Sequence, residues 1–439
     1  MTVAVMTVVA NHLASGRIRR VGIEVVLIAV GQAAAALGAL MGVRVMTGVL
    51  SPAQYGELAL GLTVGGLLMQ VSLVPLYHGA LRFFGPAREA NELRACLRVT
   101  GRLASHVAWL VVGLWVIVTA GLVWSRHHEW IGLATGALAL ALLSGYERVL
   151  DALQSAGRQR AITAWHQGLG QWLRFPIAVG LIAWFGPRSS IAMLGYVLAT
   201  ALVLASQFWF FWSRWWPLVS AEPDSAGAAD RWSARMREYS RPFARWGAFL
   251  WVQQSSDRWA LGTFGTASDV GHYSVLYQLG YWPVILLTSV LGQLVAPILF
   301  NQAGEGTDRH RVRQVRRSGY ALLGTITFLA LIAAAVAQRL HSWLFAMLVA
   351  PEYRDVSWLL PPMLLSGGLF ACGEMAALML MTGLQTSRLT SVKVGTSLMG
   401  IGLNAGGAYW FGLRGVVFSS LIFSSLYLAW TLGRFRGTA

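Results

Sequence analysis

For its length this sequence is short of charge: Asp, Glu, Lys and Arg make up only 12% of 439 residues. A soluble chain carries about 25%, so a water-exposed globular body is excluded. Lysine is nearly absent, Lys393 being the single one among 34 basic residues, and no phosphate-binding loop with a lysine follows any strand pattern. The two cysteines, Cys96 and Cys372, exclude a disulfide framework and a thiolate metal site. Ten-residue segments of alternating polarity are also lacking, which excludes a membrane β-barrel. No polar connection exceeds roughly thirty residues, the size expected of loops and not of a soluble catalytic domain. We therefore expect no catalytic residues and no metal site, the His127-His128-Glu129 turn being too short a cluster to hold an ion.

What the chain has is apolar length. Hydrophobic residues reach 56% and mean hydropathy +0.56. Runs long enough to cross a ~30 Å hydrocarbon layer as helices recur near 22–43, 57–81, 103–124, 130–150, 162–185, 190–212, 241–264, 271–299, 319–339, 357–382, 389–411 and 413–433. The expected fold is an all-α integral membrane protein of about twelve transmembrane helices. The net charge of +16 would suggest nucleic acid in a soluble protein. Here 26 of the 34 basic residues fall in alternate connections (1–21, 82–102, 148–161, 213–245, 300–317, 383–393 and 434–439). By the positive-inside rule those are cytoplasmic, as are both termini. The excess is thus topology and attraction to membrane lipid, and no nucleic-acid partner is expected.

One phrase occurs twice. LSPAQYGELALGLT (50–63) and GTASDVGHYSVLYQ (265–278) align at an offset of 215 when Gly56 is set on Gly271. Each carries a capping signature before a long apolar run, Ser51-Pro52-x-Gln54 in one and Thr266-x-x-Asp269 in the other. WFGPR (184–188) and WFGLR (410–414) form a second echo, displaced further by a longer connection at 340–356. We read a duplication: a cytoplasmic segment 1–21, a six-helix bundle 22–215, a linker 216–240, a second bundle 241–433 and a tail 434–439. Six crossings per half give two bundles related by a pseudo-two-fold along the membrane normal. Within the linker, Trp232, Met236 and Tyr239 share a face opposite several arginines, which predicts a helix lying on the inner leaflet.

Polar side chains within spans are costly and mark cavities or partners. Gln167, Gln171 and Arg174 form a stripe with His166 beside it. Gln253 and Asp257 share one face of the seventh run, Gln254 and Arg258 the next, so Asp257 and Arg258 are each expected to seek a partner on another span. His78 and Arg82 are four apart at the end of the second run, and Arg82 is placed to snorkel. The substrate-cavity candidates are therefore Arg174, Arg258, Gln167, Gln171, Gln253, His78 and Arg82, and the ion-coupling candidates Asp257, Glu374 and Glu24. Of the twenty tryptophans, most sit at span ends as an interfacial belt, while Trp251, Trp259 and Trp282 lie nearer the polar faces and could stack a sugar.

The hairpin LSPAQYGELALGLT, the segment ALRFFGPAREANELRACLR, the stretch SSDRWALGTFGTASDVGHYSVLYQL and APEYRDVSWLLPPML together give the chain its likeness. Over roughly residues 20–435 it resembles the bacterial polysaccharide (O-antigen, Wzx-type) flippases of the multidrug/oligosaccharidyl-lipid/polysaccharide (MOP) superfamily. That resemblance implies a MATE-like V of six plus six helices in the bacterial inner membrane. It implies a lipid-linked oligosaccharide of the undecaprenyl-diphosphate type as substrate, and other polysaccharide assembly proteins as partners. It requires no cofactor, and leaves room for coupling to H⁺ or Na⁺. By position, a cationic central cavity would fall on Arg174 and Arg258. The alternatives are a drug/cation antiporter of the same superfamily and, from another class, a membrane-embedded polysaccharide polymerase or glycosyltransferase.

Overall fold

The computed structural model describes residues 37–220, 222, 226–288, 291–292, 295, 309–382 and 386–436. Among these residues there are helices and turns and no strand. In chain order the helices are α1 (Leu37–Thr47), α2 (Pro52–Leu68), α3 (Val74–Glu89), α4 (Leu93–Trp124), α5 (Ile131–Ala156), α6 (Arg160–Phe185) and α7 (Ser189–Ser220). There follow α8 (Ala228–Phe264), α9 (Ala267–Leu276), α10 (Arg309–Leu348), α11 (Leu360–Thr382) and α12 (Thr386–Arg436). A π-helical turn, Met69–Leu73, joins α2 to α3, and another, Tyr277–Tyr281, extends α9. A 3-10 segment, Pro351–Leu359, leads into α11.

Among the described residues, seven helical stretches are long and apolar enough to cross a membrane. The last of them, Ser391–Arg434, folds back on itself at Gly412, where φ is +56°. Gly186, at the matching place between α6 and α7, has φ of +86°. The WFG echo is thus a pair of turns that need a residue free to adopt positive φ, and the exposed Trp184 and Trp410 flank them at one end of the molecule. Both capping boxes are formed, Ser51 with Gln54 and Thr266 with Asp269. All these features lie at what we call the hairpin end. The opposite, basic end carries the arginine-rich connections.

The repeated phrase meets itself. A Cβ on Gly56 would stand 1.8 Å from the Ala267 carbonyl oxygen, and one on Gly271 would stand 1.9 Å from that of Pro52. At the offset of 215, Gly56 corresponds to Gly271 and Pro52 to Ala267. The contact is therefore self-complementary, as expected on a two-fold axis, and only glycine lets the backbones of α2 and α9 approach so closely. Around it one apolar cluster joins both halves, with Met46, Leu50, Tyr55 and Leu58 from the first and Leu261, Tyr273, Phe345 and Tyr353 from the second. The 340–356 connection adds polar stitches: Tyr353 Oη donates to the Leu50 carbonyl at 2.8 Å and Ala350 N to Thr47 Oγ1 at 3.3 Å. Towards the basic end the described core separates. One cluster belongs to the first half and the beginning of α8, and another, around Leu323, Cys372, Met375 and Met379, to the second half alone.

One expectation is corrected here. Residues 231–243 do not form a separate leaflet helix; they are the opening turns of α8, a single helix of 37 residues. The Trp232 and Met236 face is buried, but against protein: it packs with Phe83, Phe84, Cys96 and Trp215. Glu92 holds this start, accepting from Trp232 Nε1 at 2.9 Å and Arg231 Nη2 at 2.6 Å. Apolar surface offered by the first half competes with lipid for the same face and, being close-packed, adds dispersion contacts that a fluid leaflet does not.

Candidate functional site

Three polar constellations occupy the helical body. The first, in the second half, is built on α8 and the α9 extension. Arg258 Nη1 lies 3.5 Å from Asp257 Oδ1 and donates to the Gln254 carbonyl at 3.0 Å. Its guanidinium sits 4.2 Å from the Tyr277 ring centroid, a cation–π contact. Asp257 accepts from Tyr273 Oη at 2.6 Å, and that hydroxyl is 3.2 Å from Ser420 Oγ. Each therefore has a partner on another element, Asp257 at Tyr273 and Arg258 at Tyr277, and the two chain neighbours also pair with each other. Beside the pair is a small cavity of about 60 Å³ lined by Gln253, Asp257, Tyr273, Tyr277, Asn404 and Ser420, among others. Gln253 Nε2 and Asn404 Oδ1 are buried there without a partner among the described residues, so the hydrogen bonding of this largely aromatic pocket is incomplete.

The second constellation, in the first half, was only partly legible. Asp151 on α5 accepts from Gln167 Nε2 on α6 at 2.9 Å and from Gln207 Nε2 on α7 at 2.6 Å. Gln207 also donates to Gln154 Oε1 at 3.1 Å. His166 is fixed by Ser206 Oγ at 3.2 Å and the Ile162 carbonyl at 2.9 Å. Gln167 is partly buried, with its amide held in this network. Glu147, one turn from Asp151, is buried, lies near Gly170, and accepts no hydrogen bond among the described residues. Arg174, one turn along α6 from Gly170, acts on Glu147 through space, and its Nε is buried without a partner. Gln171 lies between them, partly buried. Glu147, Asp151 and Gln154 recur at four and three residues, but they follow an apolar run straight into a basic loop, and that masked the spacing.

The third pairs Glu374 on α11 with Lys393 on α12, Nζ lying 3.0 and 3.2 Å from the two carboxylate oxygens. Tyr427 Oη adds a bond of 2.6 Å to Oε1. Glu374 thus has its cation within the chain, which removes the reason for assigning it a coupling ion. Of the other candidates, His78 is stacked on Phe243 of α8, the ring centroids 4.3 Å apart, and Arg82 is exposed at the basic end. Trp251 and Trp259 do not offer their N–H groups to a sugar: both donate to Thr63 of α2, at 2.6 Å to the carbonyl and 3.0 Å to Oγ1. Glu24 lies outside the described residues.

Tyr55 of α2, which accepts from Gln278 Nε2 at 2.8 Å, is within electrostatic reach of Arg258. Tyr196 of α7 is within reach of both Tyr55 and Arg174. The Arg258 side chain is 11% exposed, and Arg174 is partly buried with its Nε enclosed.

Helix order, the glycine crossing and the paired turns define a class: an all-helical multi-pass membrane protein built from two related halves. No protein-family model matches the chain and no curated protein matches it. Solved structures do match in fold. An inward-facing multidrug resistance MATE-family transporter of the MOP superfamily superposes with a TM-score of 0.68 at 13% identity, over 92% of this chain and 95% of that one. The lipid II flippase MurJ, in an inward closed conformation, gives 0.66 at 10% identity over 94% and 87%. An outward-facing MATE-family transporter gives 0.56 at 13% identity over 93% and 96%. The chain has the MATE-like fold that these proteins share.

Proposed function

We propose that the protein is a flippase that carries an undecaprenyl-diphosphate-linked oligosaccharide from the cytoplasmic to the outer leaflet by alternating access. The observation that carries this reading is a pair of arginines inside the helical body, one in each half: Arg258, 11% exposed beside Asp257 and Tyr277, and Arg174, partly buried with its Nε enclosed. A diphosphate with attached sugars cannot cross hydrocarbon unaided, and arginine forks offer paired donors to its oxygens. Asp257 neutralises Arg258 at rest, so binding a phosphate there would exchange one anion for another. The joined hairpin end and separate clusters towards the basic end suit a resting state open to the cytoplasm, if the basic end is cytoplasmic as its arginines predict.

The test is leaflet-resolved labelling of such a lipid in proteoliposomes. Wild-type protein should move it, and Arg174→Ala or Arg258→Ala should slow movement about 10- to 100-fold, as expected for losing ~1.5–3 kcal/mol of charge-assisted bonding. No movement by the wild type, alongside an active flippase control, would overturn the reading. One observation favours a second reading, a drug/cation antiporter: Glu147 is a buried carboxylate without a hydrogen-bond partner among the described residues. Efflux of a cationic dye that requires Glu147, with the lipid unmoved, would select it.

A further inference from the structure

On the flank of the first half, away from all three polar constellations, α4, α5 and α7 enclose a groove of about 710 Å³. Its walls are apolar, among them Leu97, Leu150, Leu204 and Phe208. The hydroxyls along it are already used: Thr100 donates to the Cys96 carbonyl, Ser105 to that of Gly101 and Tyr146 to that of Ala104. The groove therefore presents little that water or a sugar could bond.

Charge is confined to one end. Arg94 and Arg98 lie at the basic-end mouth, and Arg88 stands 5.6 Å from the ring of Trp215, another lining residue. Arg94 itself leans on residue 222, its backbone N–H 2.7 Å from Glu222 Oε2 and its Nη1 3.4 Å from the Glu222 carbonyl. Phe208, Trp212 and Trp216 recur every fourth residue on α7 and form a stacked, exposed aromatic ladder beside that mouth. On α4 the lining runs from Arg94 to Ser105, roughly 16 Å at 1.5 Å per residue. On α5 and α7 the lining begins inside the expected spans, at Leu143 and Ala201, and runs on to Leu153 and Val219 in the basic connections, so the slot straddles the membrane interface.

We propose that this groove is a binding site for a resident anionic phospholipid of the leaflet at the basic end, with one acyl chain between α4 and α7 and the phosphate at Arg94 and Arg98. Charge complementarity selects the occupant: an apolar slot that opens at the membrane interface, with guanidiniums at its mouth, matches an acyl chain with an anionic head. The site requires only that the chain spans a membrane, and stands whether or not the transport reading holds.

The test uses the full-length protein in nanodiscs with a phosphatidylglycerol carrying a photoreactive group on one acyl chain. Cross-links should concentrate on peptides covering 97–105 and 204–216. Unlabelled phosphatidylglycerol should compete at least tenfold better than phosphatidylcholine of the same chains, and Arg98→Gln should reduce that preference severalfold. Ala104→Trp, which fills the slot, should abolish the local cross-links while the protein stays monodisperse. Should that variant fail to fold, the wild-type cross-link map and competition decide alone. Labelling spread evenly over all exposed helices, or equal competition by the two lipids, would overturn the proposal. So would displacement by an isoprenoid phosphate in preference to phosphatidylglycerol, which would make the groove a substrate site.

Discussion

At the scale of single residues, the Lys393–Glu374 pair separates structural charge from functional charge. Its partners lie 19 positions apart on antiparallel helices, and Lys393 is close enough in sequence to the basic connection to be counted with it. Glu374 is half-buried, so the pair sits between a surface bridge worth little and a buried one whose breaking costs about 3–5 kcal/mol. Lys393→Ala should lower stability by about 1–3 kcal/mol, seen as a drop in the thermal midpoint of purified protein. Adding Glu374→Gln should recover part of it by removing the stranded charge. A Lys393→Ala midpoint equal to wild type would show the pair contributes nothing. The Tyr273, Tyr277 and Tyr281 ladder shows why sequence reading missed part of the site. Its spacing is visible, but aromatic residues at helical intervals read first as packing, and nothing in the sequence places Asp257 at the first hydroxyl or Arg258 over the second ring.

Among the elements, the crossing of α2 and α9 carries the clearest expectation. Small residues at a helix contact are ordinary, but here a side chain at Gly56 meets a backbone carbonyl that cannot rotate away. Gly56→Leu or Gly271→Leu should force the helices apart, at a cost of about 1–3 kcal/mol from overpacking. A Leu50→Cys reporter in that background should then react faster with a membrane-impermeant maleimide from the hairpin end. Native Cys96 and Cys372 are buried and give little background. Unchanged labelling would mean the crossing does not hold that end closed. Elements were the most legible level of the sequence. Capping boxes and positive-φ turns are local, so Ser51, Thr266, Gly186 and Gly412 announce themselves within a few residues. The leaflet helix was misassigned because an amphipathic face does not say what covers it: Met236 meets the first half where sequence alone offered only lipid.

For the molecule as a whole, alternating access requires the hairpin end to part. Thr47 Oγ1 accepts from Ala350 N across that seam, so the double variant Thr47→Cys/Ala350→Cys, bridged by a short dithiol-specific cross-linker, should hold it shut. Lipid movement in proteoliposomes should fall at least tenfold and return on reductive cleavage of the bridge. A bridged protein as fast as the reduced one would exclude opening at this end. Duplication was readable from the two echoes, because a symmetric contact writes the same residues twice. The split of the core towards the basic end was not, since it depends on which distant helices face each other.

The uninterrupted helix from Ala228 to Phe264 has a mechanical consequence. It is anchored in the first half by Trp232 and Met236 and ends between Leu60 of that half and Val270 of the second. It is a tie rod, and a swing of one half has no slack there to take it up. The bend falls instead on Pro242, whose ring leaves the backbone one N–H short in the middle of the rod. If the halves rock as proposed, tilt at one face of the membrane is passed along this helix as thrust at the other.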